Sequence, residues 1–274
     1  MPSTYAHYRM GQEVRQRLSE PDKKVIEQYP DLYNIGLHGP DLLFYYKALG
    51  RNHVNSMGFG LHKYPGRYFF ERAAGILKKK RLEPAHLSYV YGYLCHFALD
   101  VTCHGFVNGQ IKDTGVGHLA LETDLDRRLL LMDGKEPMST RVTGHLIPSS
   151  HSARVIRDFH PGITVEEAYK SIKDMVFYLN ALISPGRLKR GLLVGGLKLV
   201  GQYDNVGGLL MKPLENPKAT KGVDHLLELY RQGRDLAVEL IGEYSHYLKG
   251  EQELGCLYDC NFESVKAKMP KKRI

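Results

Sequence analysis

No tryptophan occurs in the 274 residues, and cysteine is nearly as scarce, at four. Cys95, Cys103, Cys256 and Cys260 are too few to build a disulfide framework in a chain this long, and they are expected to be reduced thiols. Also missing is any run of the roughly 18 apolar residues that a membrane-spanning helix needs. The nearest approach, Gly191 to Gly201, is interrupted by Lys198 and rich in glycine. Residues Met1 to His7 lack the charged-then-apolar pattern of a secretory signal, so the expected location is the cytoplasm. Acidic residues are in deficit, 30 against 38 Lys and Arg, for a net charge of +8. Five of the basic residues, Lys266, Lys268, Lys271, Lys272 and Arg273, crowd the last nine positions, where there is no acid. Such a tail reads as a solvated terminus with at most a weak grip on an anionic membrane surface. The rest of the chain is nearly balanced, and no specific nucleic-acid partner is expected. An apolar content of 43% with 25% charged residues excludes a disordered or collagen-like chain.

What is present is helical periodicity. Tyr8 to Leu18 has one apolar face and is broken by the turn Ser19 to Asp22; Val25 to Tyr29 reads as a further turn of helix. His38 to Asp41 reads as a loop, with Pro40 suited to the first turn of a following helix. Tyr64 to Lys80 ends on lysines that suit the negative end of a helix dipole. Pro84 opens a long helix that Gly105 is expected to close. Gly117 to Asp133, Val165 to Ile183 and Gly222 to Leu248 are further helices. The stretch 134–164 looks irregular, and the glycine-rich segment 186–208 fits loops, a hairpin or a short helix equally. Few alternating patterns suggest strands. The expectation is an all-α fold, one multi-helix domain over residues 1–265 followed by the basic tail 266–274.

The histidines are 13 in number, and several are spaced as ligands. His96, Asp100 and His104 lie four apart, so on a helix each is offset by only about 40° from the last and all three share one stripe. His118 and Glu122 repeat the spacing. A lone His-x3-Asp pair is most often a surface pair or a satisfied core histidine. Two such pairs around a third histidine, all within 96–122, point instead to divalent metal, for which imidazole and carboxylate are suitable zinc ligands. Other metal patterns are weaker. There is no His-Asp dipeptide, Glu243 and His246 alone have the Glu-x-x-His spacing that a di-iron bundle needs twice, and Cys256 and Cys260 lack a second pair.

With these residues the chain resembles the zinc-dependent phospholipase C family and its zinc-nuclease cousins. The resemblance rests on the ordered set His96, Asp100, His104, His118 and Glu122, supported by His7, Asp41 and His62, and covers residues 2–126. It implies a cluster of up to three zinc ions. Asp41, His62, His96 and Asp100 would hold one, and His104, His118 and Glu122 a second. His7 would hold the third with a bridging oxygen of Asp100 and a backbone amine from the start of the chain. His53 competes with His62, which is preferred for the segment Lys63 to Phe70 that follows it. The spacing from Asp100 to His104 is shorter than the family's, though it keeps His104 on the stripe. Secreted relatives supply the amine from an N-terminal tryptophan; here the resemblance leads to Pro2, exposed if Met1 is removed, and mass spectrometry finding Met1 retained on the fully metallated protein would exclude it. His38 is expected to be structural or to orient Asp41 across the Gly39-Pro40 turn. The implied activity is phosphodiester hydrolysis by metal-activated hydroxide attacking phosphorus, with Asp41 as the catalytic residue that orients the nucleophile or takes its proton. Phospholipid is the first substrate expected; a soluble or nucleic-acid phosphodiester, or zinc binding without turnover, are the alternatives.

Overall fold

The computed structural model describes residues 4–269. Pro2 and the end of the tail, including Lys271, Lys272 and Arg273, lie outside the described residues. Twelve α-helices and three 3-10 turns make up the described chain, which has no strand, only isolated bridges such as Pro65 to Asn261.

The organising element is α6, Pro84–Thr114, whose residues from Ala85 to Asp100 are all buried. A helix apolar around its whole circumference has to be enclosed by others. α3 (Pro30–Gly36) and α12 (Thr220–Lys249) give it the most extensive cover. α2 (Glu20–Gln28), α5 (Gly66–Lys79) and α8 (Ser150–Phe159) lie against other parts of it. Two glycines set the α3–α6 distance. A Cβ at Gly36 would sit 2.2 Å from the Tyr89 carbonyl oxygen, and one at Gly92 2.2 Å from that of Tyr33. Backbone therefore touches backbone, and the segment after α3 is delivered beside His96 of α6.

That segment is a 3-10 turn, Gly39–Tyr45, rather than the start of an α-helix at Pro40. α1 (Thr4–Arg17), α4 (His53–Leu61), α7 (His118–Met132) and α9 (Val165–Leu182) complete the framework around the site. α10 (Arg187–Leu199) and the short α11 (Tyr203–Val206) occupy most of the glycine-rich segment.

Two sequence expectations are corrected. Helix α8 lies within the stretch read as irregular; it is ten residues long, with Ser149 capping it by accepting from Ser152 N–H. Gly105 does not end α6, which continues to Thr114 and is closed by Gly115 in the left-handed conformation, φ 70°. A glycine inside a helix costs about 1 kcal/mol relative to alanine, and here its backbone N–H is bound by another part of the chain. The Ser264 hydroxyl donates to the Val101 carbonyl at 2.6 Å and accepts from Gly105 N–H at 3.1 Å, so it inserts into one turn of α6. This docks the segment 256–266 against the stripe of His96, Asp100 and His104.

Candidate metal centre

Five elements converge on Asp100. α6 supplies His96, Asp100 and His104 from one stripe, and α7 supplies His118 and Glu122. His7 comes from α1, Asp41 from the 3-10 turn, and His62 is the C-cap of α4. α1 is held in register by Asp126 of α7, which accepts from the Tyr5 and Ala6 N–H groups at 3.0 and 2.8 Å. An acceptor at the N-terminus of a helix satisfies donors that have no partner within it. Asp126 carried no signal in the sequence because its partners are backbone groups 120 residues away.

The Asp100 carboxylate divides its two oxygens between two groups of imidazoles. Oδ1 lies 3.4 Å from His7 Nε2 and 3.6 Å from His104 Nε2; Oδ2 lies 3.2 Å from His96 Nε2 and 3.8 Å from His62 Nε2. Asp41 Oδ1 is 2.8 Å from His62 Nε2 and 3.9 Å from His96 Nε2. On the other side Glu122 Oε1 lies 3.2 Å from His104 Nε2 and 3.0 Å from His118 Nε2. Three groups thus have ligand atoms mutually within 4.8 Å: His7, His96 and Asp100; Asp41, His62 and His96; His104, His118 and Glu122. All but His118 are buried.

Hydrogen bonds on the far side of the rings fix their chemistry. His62 Nδ1 faces the Gly58 carbonyl at 3.0 Å, His96 Nδ1 the Leu37 carbonyl at 3.2 Å, and His104 Nδ1 the Phe262 carbonyl at 2.6 Å. A carbonyl oxygen accepts and cannot donate, so each Nδ1 carries a proton, and each ring, when neutral, turns an Nε2 lone pair inward. Lone pairs would then face carboxylate oxygens in a buried space, which is unfavourable unless a cation lies between them. The Nε2 atoms of His62 and His96 make no hydrogen bond despite their short distances to carboxylates, and His7 Nδ1 and Glu122 Oε2 are likewise without one. Nitrogen and oxygen donors in this ratio, oriented by backbone acceptors behind them, fit zinc.

The electrostatics agree. Burial alone would raise the Asp41, Asp100 and Glu122 carboxyls, yet the surrounding imidazoles hold all three well below the usual range. They stay anionic at any working pH. Burial brings His96 down to about 4, whereas Asp100 and Glu122 outweigh burial at His104 and push it up to about 9. A cation entering the His104 group at neutral pH therefore displaces a proton.

His53 is exposed and pairs with Glu167 at 3.0 Å, away from the cluster. The His38 ring turns to another histidine, a structural contact. Its Nε2 is 2.7 Å from that of His145, whose ring stacks on Tyr8 at 4.1 Å. A single shared proton between the two rings suits that distance, and burial with the neighbouring His145 holds His38 well below its ordinary value. The residue least visible in the sequence is Phe262. Its ring packs on His62 and Phe97 at 5.2 and 5.1 Å while its carbonyl anchors His104.

A cleft of about 650 Å³ opens beside His62. Arg51 and Lys63 stand on its wall, together with Glu263 and the stacked rings of Phe44 and Phe59, 4.2 Å apart.

The chain belongs to the zinc-dependent phospholipase C family, whose model matches residues 6–173. The match runs some way past the 2–126 covered by the ligand pattern and takes in α8 and part of α9. Comparison with curated proteins and with solved structures gives no match. Family and cluster together define a zinc-hydrolase type of protein, all-α in fold. Among the described residues no helix is long and apolar enough to cross a membrane.

Proposed function

We propose that the protein is a phospholipase C-like phosphodiester hydrolase that uses up to three zinc ions. The observation that carries the reading is the division of Asp100 between two sets of imidazoles, of which His62, His96 and His104 have carbonyls behind them that aim Nε2 inward. One carboxylate with an oxygen toward each set can bridge two ions, the arrangement used for in-line displacement at phosphorus. Asp41, His62 and His96 would hold one ion, with Asp100; His104, His118 and Glu122 a second; His7 and Asp100 would contribute to a third. Pro2 is proposed to complete that third site.

Zinc, when bound, supplies Lewis acidity that polarises phosphoryl oxygens and acidifies water. The chain's own groups do the rest. Asp41 stays ionised and points an oxygen at the cluster, so it can orient the nucleophile. Arg51 and Lys63 stand on the cleft wall where they can attract a phosphodiester, and an arginine can pair with its oxygens bidentately. Phe44 and Phe59 offer apolar surface to the part of the substrate beyond phosphorus. A phospholipid satisfies all of these features, with its charge at the basic side chains and its hydrocarbon on the open side. Four free cysteines support a reducing, cytoplasmic setting.

The test is turnover of phosphatidylcholine, bis-p-nitrophenyl phosphate and single-stranded DNA by zinc-loaded protein. Hydrolysis of the lipid, lost in Asp100→Asn along with bound zinc, is expected. Hydrolysis of DNA but not lipid would move the function to the nuclease branch, and an Asp100→Asn variant with full zinc and full turnover would refute the scheme.

A further inference from the structure

α10 is anomalous within this fold because none of its 13 residues is buried. It also contains three glycines, each costing about 1 kcal/mol of helix propensity. A helix this short gains most of its stability from packing one face, and among the described residues nothing buries the outer face of α10. At about 100° per residue, Leu188, Leu192, Gly195 and Leu199 fall within about 60° of one another on that face. The leucines are 80%, 69% and 89% exposed, and Val200 follows at 63%. Arg187 and Lys198 flank the stripe on one side and Lys189 on the other. No acidic residue occurs between Asp174 and Asp204. The inner side is tied down by Arg190, whose guanidinium donates to the Met211 carbonyl.

We infer that α10 is an interfacial helix that lies on an anionic phospholipid surface, leucines in the acyl boundary and basic residues among the headgroups. Apolar exposure of this extent marks an interaction surface, and an apolar stripe edged by Lys and Arg is the pattern of helices that lie in a membrane interface. It is too short to span a bilayer. Charge selects the occupant. A second copy would bring basic flanks against basic flanks, whereas an anionic leaflet neutralises them. The position is informative as well. The chain leaves α10 through Val200 and Gly201 to Gln202, which lines the cleft beside His62. Leu49 and Phe59, 70% and 50% exposed, lie on that same cleft. A bilayer bound by α10 is thereby brought to the mouth of the cleft. The inference concerns binding and stands whether or not the cluster turns over lipid.

The missing tryptophan makes the test clean, because Leu192→Trp would introduce the only indole in the protein. Its emission is expected to shift to the blue on addition of vesicles of phosphatidylcholine with phosphatidylserine, whereas Phe177→Trp on α9 is expected not to respond. Leu188→Glu with Leu192→Glu is expected to weaken vesicle co-sedimentation by at least about tenfold, through lost apolar burial and added charge repulsion. The double variant should cleave bis-p-nitrophenyl phosphate at the wild-type rate, so binding and chemistry are read separately. Three results would overturn the inference: no shift with vesicles, a shift that follows protein concentration without vesicles, or wild-type binding by the double variant. In the last case, loss of binding only on replacing Lys271, Lys272 and Arg273 would place the contact in the tail.

Discussion

Replacing Gly39 by alanine tests how tightly the backbone supports the cluster. Gly39 has φ 47°, and a Cβ there would lie 2.3 Å from His96 Cδ2 and 2.9 Å from Nε2. The imidazole would have to retreat by about 1 Å to reach ordinary contact, and its surroundings leave little freedom. Nδ1 is bonded to the Leu37 carbonyl, His7 stacks on the ring at 4.4 Å, and Phe262 packs at 5.8 Å. The left-handed backbone costs an alanine about 1–2 kcal/mol, and overpacking adds about 1–3 kcal/mol. Gly39→Ala is therefore expected to destabilise the metal-free protein by about 2–5 kcal/mol in urea denaturation. Because the displaced ring is a proposed ligand, zinc affinity should also fall by about 10–100-fold, the effect typical of disturbing a ligand's support. Gly60→Ala is the control, since a Cβ there meets nothing within 4 Å and φ is not positive. A Gly39→Ala protein with the stability and zinc retention of Gly60→Ala would refute the reasoning.

Phe262→Ala should cost about 3–5 kcal/mol in urea denaturation for a buried aromatic, and equilibrium dialysis should show weaker zinc binding because the carbonyl behind His104 loses its anchor. His62→Ala should weaken zinc binding at least about tenfold, whereas His53→Ala, which loses a solvent-exposed pair with Glu167, should leave it unchanged and alter stability by no more than about 1 kcal/mol. Burial depresses the pKa of His160 to about 3. The unfolded chain therefore binds the extra proton first, so this contribution is complete above pH about 6.5 and is lost as pH falls toward about 3. Over that window His160→Gln should flatten the fall in stability by up to about 1.4 kcal/mol per pH unit, read from urea midpoints at several pH values.

The stripe on α6 was legible because helical period converts spacing into direction. His96, Asp100 and His104 share a face on almost any helical geometry, and His118 with Glu122 repeats the rule. Long helices with apolar faces, such as Val165–Leu182 and Thr220–Lys249, were legible for the same reason. The failures were at contacts between distant parts of the chain. Gly105 reads locally as a terminator, but Ser264 from the other end of the sequence bonds to the helix backbone there and the helix runs on. His38 sits beside Asp41 in sequence yet turns to His145, because the 3-10 turn directs the two side chains differently. The carbonyls of Leu37, Gly58 and Phe262 could not be anticipated at all, since every residue has one. α10 was hidden by its glycines and by an apolar stripe that none of the described residues covers.

Whether the imidazole nitrogens around Asp100 hold metal or protons is read by zinc-edge anomalous diffraction from protein purified without chelator. Peaks are expected at the group of Asp41, His62 and His96 and at the group of His104, His118 and Glu122, with an Asp100 oxygen directed toward each. Absence of anomalous density in zinc-soaked crystals, with the imidazoles hydrogen-bonded to the carboxylates through Nε2 protons, would contradict metal binding there.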